Sequence, residues 1–302
     1  VVILMLGFVI SSCRNEQNES VDQVQERIKI GVEVFLESHL DLVKGKKVGL
    51  ITNPTGVNSE LKSVVDLFYR SSRINLVALY GPEHGVRGNA QAGEYVPFYV
   101  DASSYNLPVF SLYGQSMKPE SGMLKNIDEY MRSYDTQEAG KIPDSTMIQD
   151  IDVIIFDLQD VGTRIYTYIA TMAYSMQTCA EVGVDFIVLD RPNPINGIDM
   201  EGPILEYPQH SSFVGLFPIP VRHGMTIGEL ARLFNDRFFK KKVNLTVIPM
   251  QGWKREMWFD DTSFPWVITS PNMPSLDTAT VYPGQVFLEG TNISEGRGTT
   301  KP

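Results

Sequence analysis

The sequence predicts an α/β fold, a parallel sheet with helices on both faces, and three observations carry that expectation. First, short and nearly continuous apolar runs recur: Val48–Thr52, Leu76–Tyr80, Val109–Tyr113, Val153–Asp157 and Phe186–Asp190. Strands covered on both faces read this way, because neither side meets water. Second, helical stripes lie between the runs. Leu61, Val64, Val65 and Phe68 follow the first, and Ile165, Ile169, Met172, Ala173, Met176 and Ala180 follow the fourth. Third, the runs close on polar loops, where a strand of this kind gives way to a helix. A further helix opens on Thr226 with Glu229 at capping-box spacing and keeps Ile227, Leu230, Phe234 and Phe238 on one face. This alternation is Rossmann-like.

The 302 residues are 43% hydrophobic, enough for a sizeable core and for more than one domain. A formal net charge of −10 argues against a nucleic-acid partner, since neutralising phosphates needs a basic stripe. A neutral or zwitterionic substrate fits better.

Val1 to Ile10 is an apolar run ending in Ser11-Ser12-Cys13. It has the length of a secretory h-region and is too short to span a bilayer. The small residues before Cys13 resemble a bacterial lipoprotein cleavage site, with Cys13 lipidated; the alternative is an ordinary signal peptide with an incidental cysteine. A signal segment over 1–13 and a polar tether over 14–28 are therefore expected. Membrane contact would be through the lipid anchor only, placing the protein in a bacterial cell envelope, facing periplasm or surface. Only Cys179 accompanies Cys13, so a disulfide framework is excluded.

The carboxyl-end loops of a parallel sheet share one edge, where open α/β folds bind ligands. Here that edge gathers Asn53, Glu83, His84, Arg87, Asp157, Gln159, Asp160, Arg164, Asp190, Arg191 and Asn193. Familiar signatures are missing from the chain: no glycine-rich dinucleotide or phosphate loop, no nucleophile elbow, no H-E-x-x-H, and four scattered histidines. Carboxylates, arginines and amides remain, a kit suited to sugar hydroxyls and to acid/base work on a glycosidic oxygen. Glu83 stands out, framed by Gly81, Pro82 and Gly85 directly after a buried run. A carboxyl in a semi-apolar cleft can hold its proton as a general acid must. The structural alternative is a helix cap or a pair with Arg87. His84 either binds a sugar hydroxyl or braces the turn. Asp160 and Arg164, ahead of Tyr166 and Tyr168, read slightly better as a buried pair holding their loop than as chemistry. Asp190-Arg191 reads as support, and His223 is a weaker candidate. Glu295 follows the expected strand Val286–Thr291 and offers a second carboxylate or a linker.

Five blocks then resemble a known family: T-N-P-T-G from Thr52, G-P-E-H-G from Gly81, F-D-L-Q-D-V-G-T-R from Phe156, L-D-R-P-N-P from Leu189, and E-G-T-N from Glu289 with E-G-R-G-T from Glu295. They are similar to those of the NamZ-like exo-β-N-acetylmuramidases, in the same order and spacing from about Ile30 onward. The resemblance implies release of terminal β-1,4-linked N-acetylmuramic acid from peptidoglycan-derived muropeptides or disaccharides. It implies a Rossmann-like catalytic domain over 29–298, with 299–302 starting a smaller C-terminal domain that is largely missing from this chain. It places the family's catalytic glutamate on Glu83 and a further site residue on Glu295. The expected site is thus Glu83, Asp160 and Glu295 for catalysis, with Asn53, His84, Arg87, Asp157, Gln159, Arg164, Tyr166, Arg191, Asn193 and His223 binding substrate. Arg87, Arg164 and Arg191 are the candidates for the lactyl carboxylate of muramic acid. No metal or organic cofactor is implied. Two rival readings stand beside this one: a non-catalytic peptidoglycan- or sugar-binding lipoprotein, and a metal-assisted hydrolase using Asp157 and Asp160 as oxygen ligands.

Overall fold

The computed structural model describes residues 27–91, 93–94, 96–101, 105–113, 117–133 and 150–296. Cys13, the expected signal segment, the expected tether up to residue 26 and residues 297–302 lie outside them. The described chain enters its fold at once, for Ile28 is buried and Lys29 bridges Gln251.

Seven strands form one sheet among the described residues: β1 (Lys47–Thr52), β2 (Asn75–Gly81), β3 (Tyr99–Asp101), β4 (Leu107–Ser111), β5 (Val153–Asp157), β6 (Asp185–Leu189) and β7 (Leu245–Ile248). Their order is β3-β4-β2-β1-β5-β6-β7, with every pairing parallel except that of edge strand β3. Leaving β3 aside, the chain winds outward from β1 to β4, returns, and winds outward again from β5 to β7. That is the doubly wound order of a Rossmann-like sheet, with the switch point between β1 and β5.

Among the described residues six α-helices accompany it: α1 (Gly31–Ser38), α2 (Val64–Tyr69), α3 (Ile127–Arg132), α4 (Tyr168–Val182), α5 (Ile227–Arg237) and α6 (Leu276–Gln285). Strand alternation sorts them into two layers. Val153 and Ile155 of β5 face a core holding Val32, Val34 and Phe35 of α1 with Val64, Val65 and Phe68 of α2. Ile154 and Phe156 face the other core, with α3, α4 and α5. The bulge where β1 register slips at Val48/Gly49 lets Leu76 and Leu79 of β2 share the first core although they are three residues apart. Gly49 makes room on the other face, since a Cβ there would meet the Tyr80 ring at 2.7 Å in the second core.

Several expected boundaries move. Leu61 lies outside α2, exposed and at positive φ, and Ile165 precedes α4. The third run forms a strand two residues earlier than expected, ending at Ser111, which releases Tyr113 from the ladder. The expected strand Val286–Thr291 is instead a single 3-10 turn, Val286–Gly290, continuing from α6. A short apolar run does not declare its period, and here only Val286 is buried while Phe287 is 53% exposed. Cys179 is wholly buried on α4, and burial pushes its thiol well up. Among the described residues no helix is long and apolar enough to cross a membrane.

Asp190 joins the layers at the end of β6. Its carboxylate accepts from the Thr226 hydroxyl (2.9 Å) and the Gly228 amide (2.8 Å) at the start of α5. Gly228 is required there, since a Cβ would sit 2.8 Å from the Asp190 carboxyl carbon. Thr226 and Glu229 complete the expected capping box. Burial dominates these donors and raises Asp190 from 3.8 to about 6. The folded state therefore binds a proton more tightly than the unfolded chain, and stability contributed by this group falls as pH rises from about 4 to about 6. Urea unfolding of the wild type relative to Asp190→Asn, followed across that window, is expected to shift by up to about 3 kcal/mol towards the variant. A difference independent of pH refutes the assignment.

Candidate active site

The loop after β2 folds back tightly. A Cβ at Gly81 would lie 2.7 Å from the Val86 nitrogen, and His84 and Gly85 both have positive φ, 72° and 76°. For His84 this is a strained conformation. Its ring holds it by bonding the Ala90 carbonyl (3.0 Å) through Nδ1. A carbonyl only accepts, so Nδ1 carries the hydrogen and Nε2 of the neutral ring is left as an acceptor.

This turn presents Glu83, partly buried, to the amino end of α4. Its Oε2 accepts from the Thr167 hydroxyl (2.9 Å), and its Oε1 from the Gly93 amide (3.2 Å). The Tyr113 hydroxyl, freed from β4, also donates to it; burial raises that phenol, and the charge and hydrogen bond of Glu83 add to the rise. The pair with Arg87 does not form, because Arg87 turns away to Asp101.

Glu83 opens onto a cavity of about 210 Å³. Its walls include the rings of Tyr113, Tyr166, Tyr168, Phe213 and Tyr282, and the polar groups of His84, Thr167, Ser270, Asn272 and Glu289. The floor is a closed network. Tyr168 donates to the Thr269 carbonyl and accepts from Asn53 (2.8 Å), while Tyr166 donates to the Thr269 hydroxyl (2.8 Å). Burial lifts both phenols, Tyr166 to about 12 and Tyr168 well above its usual value. They are hydrogen-bonding groups here, not acids.

Of the expected site residues, the cavity takes Glu83, His84 and Tyr166. The others lie elsewhere, and each for a reason. Asp157 is fully buried and binds Arg191 bidentately (2.6 and 2.8 Å), with Arg191 also donating to the Val57 carbonyl (2.9 Å). Both carboxylate oxygens of Asp157 are engaged by Arg191, and the described residues hold no group of His, Cys, Asp and Glu side chains suited to a metal ion. Asn53 accepts from Thr55 and braces Tyr168 from behind. Gln159 donates to the Asp160 and Pro192 carbonyls. Gln159 and Arg191 border a second, much smaller cavity of about 30 Å³. Asn193 donates to Met225 and accepts from Ile195.

The expected Asp160–Arg164 pair does not form. Asp160 accepts from the Gly162 amide (2.8 Å) and stands 3.3 Å from Nε2 of the wholly buried His223. The Met225 amide donates to Nδ1 of that histidine, so its ring hydrogen sits on Nε2, near Asp160 but without a hydrogen bond to it. Arg164 instead donates to the carbonyls of Pro203 (2.9 Å) and Ile219, and burial lowers its pKa. These residues pin the segment between β5 and α4, which carries Tyr166 and Thr167 and leads into Tyr168 at the start of the helix. Glu295 is partly buried and absent from the cavity wall.

The sequence reasoning had passed over Tyr113, Thr167, Phe213, Asn272 and Glu289 as site residues. Tyr113 and Thr167 carried a usable signal, for both sit directly beyond elements whose carboxyl or amino ends face the same edge. Phe213 and Asn272 lie in long connections where nothing in the pattern marks them.

Residues 48–141 and 131–277 match the family model described as the N-terminal part of the exo-beta-N-acetylmuramidase NamZ, and residues 280–302 match its C-terminal part. The chain is 49% identical over 300 residues, 99% of its own length, to the peptidoglycan beta-N-acetylmuramidase NamZ of Bacillus subtilis (strain 168), of which it spans 66%. Two crystal structures of DUF1343 family proteins from Bacteroides fragilis NCTC 9343 share the fold. One has a TM-score of 0.77 at 43% identity and the other 0.71 at 33%. Each covers 91% of this chain, which spans 64% and 65% of theirs.

Because Asp157 and Arg191 are charges buried against each other, removing one strands the other. Asp157→Ala is expected to cost about 3–5 kcal/mol in urea unfolding. A loss below about 1 kcal/mol would show the pair to be dispensable, as surface pairs are.

Proposed function

This chain belongs to the NamZ exo-β-N-acetylmuramidase family, and from that premise we propose that it is a glycoside hydrolase releasing terminal β-1,4-linked N-acetylmuramic acid from peptidoglycan fragments. Glu83 is its general acid. The observation that carries the reading is the placement of Glu83: a carboxyl fixed through both oxygens at the wall of an aromatic cavity. Aromatic rings suit the apolar face of a sugar, while Nε2 of His84, Ser270 and Asn272 offer partners to its hydroxyl and acetamido groups. In the reaction Glu83 passes its proton to the glycosidic oxygen as the bond to the anomeric carbon breaks. Tyr113, Thr167 and the Gly93 amide act on Glu83 and not on the sugar; they hold the carboxyl where the departing oxygen will be.

Glu83→Gln is expected to lower kcat by roughly 10²–10⁴-fold on a β-1,4-linked muramic acid–glucosamine disaccharide. The loss is expected to be smaller on a nitrophenyl β-N-acetylmuramide, whose leaving group needs little protonation. The matching N-acetylglucosaminide serves as the control. Equal losses on the two muramides would remove Glu83 from the acid role. Binding of peptidoglycan fragments without turnover by the wild type would favour a sugar-binding lipoprotein instead.

Cys13 we propose as the lipid attachment point that holds the protein on a bacterial membrane, on the strength of the apolar run and small residues before it. Cells expressing the full chain and fed a clickable fatty acid should label the wild type and leave Cys13→Ser unlabelled. An unlabelled wild type refutes the anchor.

A further inference from the structure

We propose that Glu289 is the second carboxylate of this site, the base that activates the attacking water; the proposal rests on the glycosidase reading above. Glu289 and Glu83 are the two carboxylates in the cavity wall, and the described wall holds no lysine or arginine. The expected arginines are engaged elsewhere, Arg87 with Asp101, Arg191 with Asp157 and Arg164 with backbone carbonyls. Two carboxylates in the wall, with no lysine or arginine among its described residues, favour positive charge at the reacting centre. Positive charge is what develops on the sugar ring in an oxocarbenium-like transition state.

Glu289 is held in place although it is itself exposed. It sits on the single turn Val286–Gly290 that continues α6. Tyr282 of α6 meets Tyr166 edge-on, with centroids 6.0 Å apart at 90°, and Ala279 and Val286 are buried on either side of that contact. The carboxylate therefore comes from a different element than Glu83, on chain anchored three residues earlier. Its exposure leaves water beside it, as the base role needs. A nucleophile must touch the anomeric carbon stripped of water, whereas a base needs a water beside it.

The step balances as hydrolysis. Glu83 gives its proton to the glycosidic oxygen as the bond from that oxygen to the anomeric carbon breaks. Glu289 takes a proton from the water whose oxygen bonds to the anomeric carbon from the opposite face. One water is consumed, each product gains one hydroxyl, and the proton returns from Glu289 to Glu83 through solvent. The configuration is inverted, so a β-linked substrate yields the α-anomer first.

The test uses the full chain, wild type and Glu289→Gln, on the β-1,4-linked disaccharide, with the first anomer followed by proton NMR. Wild-type enzyme is expected to release α-N-acetylmuramic acid before mutarotation. Glu289→Gln is expected to lose roughly 10²–10⁴-fold in kcat with KM little changed, and Glu289→Asp to recover part of it. An exposed position makes misfolding no refuge for a negative result, and urea midpoints check that directly. A β-anomer released first, or a Glu289→Gln variant within about threefold of wild type, overturns the proposal. Absence of turnover by the wild type itself overturns the glycosidase reading on which it rests.

Discussion

The buried bond between Asp157 and Arg191 sets the terms for the whole carboxyl edge. Asp157 ends β5, Arg191 follows β6, and the same guanidinium reaches the Val57 carbonyl beyond β1. Three loops that diverge from neighbouring strands are thereby drawn to one point, with no water to share the charge. Such a pair stabilises less than its geometry suggests, because both ions have left solvent. What it supplies is registry. With these loops tied at the switch point, the chain between β5 and α4 has one course to follow, and that course delivers Thr167 to Glu83.

Much of the fold was legible because burial on both faces leaves a plain mark. β1, β2, β5 and β6 lie within a residue of their apolar runs, and α5 begins where Thr226 and Glu229 say it should. β3 left no such mark, being three residues long and antiparallel at an edge. Nor did β7, whose partly buried Leu245, Thr246 and Val247 give no continuous core pattern. The turn at Val286–Gly290 was misread for a different reason: three apolar residues in a row fit either period.

The site was legible as a location and less so as a set of residues. Sequence shows which loop carries a polar group but not which way it points. At a buried sheet edge most polar groups must satisfy one another or the backbone. Asn53, Gln159 and Asn193 do so, and with Asp160, Arg164 and His223, which are engaged at only some of their polar atoms, they form the frame rather than the wall. The wall includes four tyrosines, Tyr113, Tyr166, Tyr168 and Tyr282, which composition places equally well in any core. Glu83 could be picked out because its turn needs glycine at both ends and leaves its carboxyl little choice of direction.

The strand order has a consequence for the time at which this molecule can become itself. β1 is made early and lies at the centre of the sheet, yet it pairs on one side with β2 and on the other with β5, across register partners such as Val48 and Val153. Loop closure over such a span must precede any reward from contact. A chain emerging from its amino end therefore carries a half-partnered central strand until β5 has followed it. During that interval Leu50 and Ile51, buried in the finished sheet, lack the partners that β5 supplies.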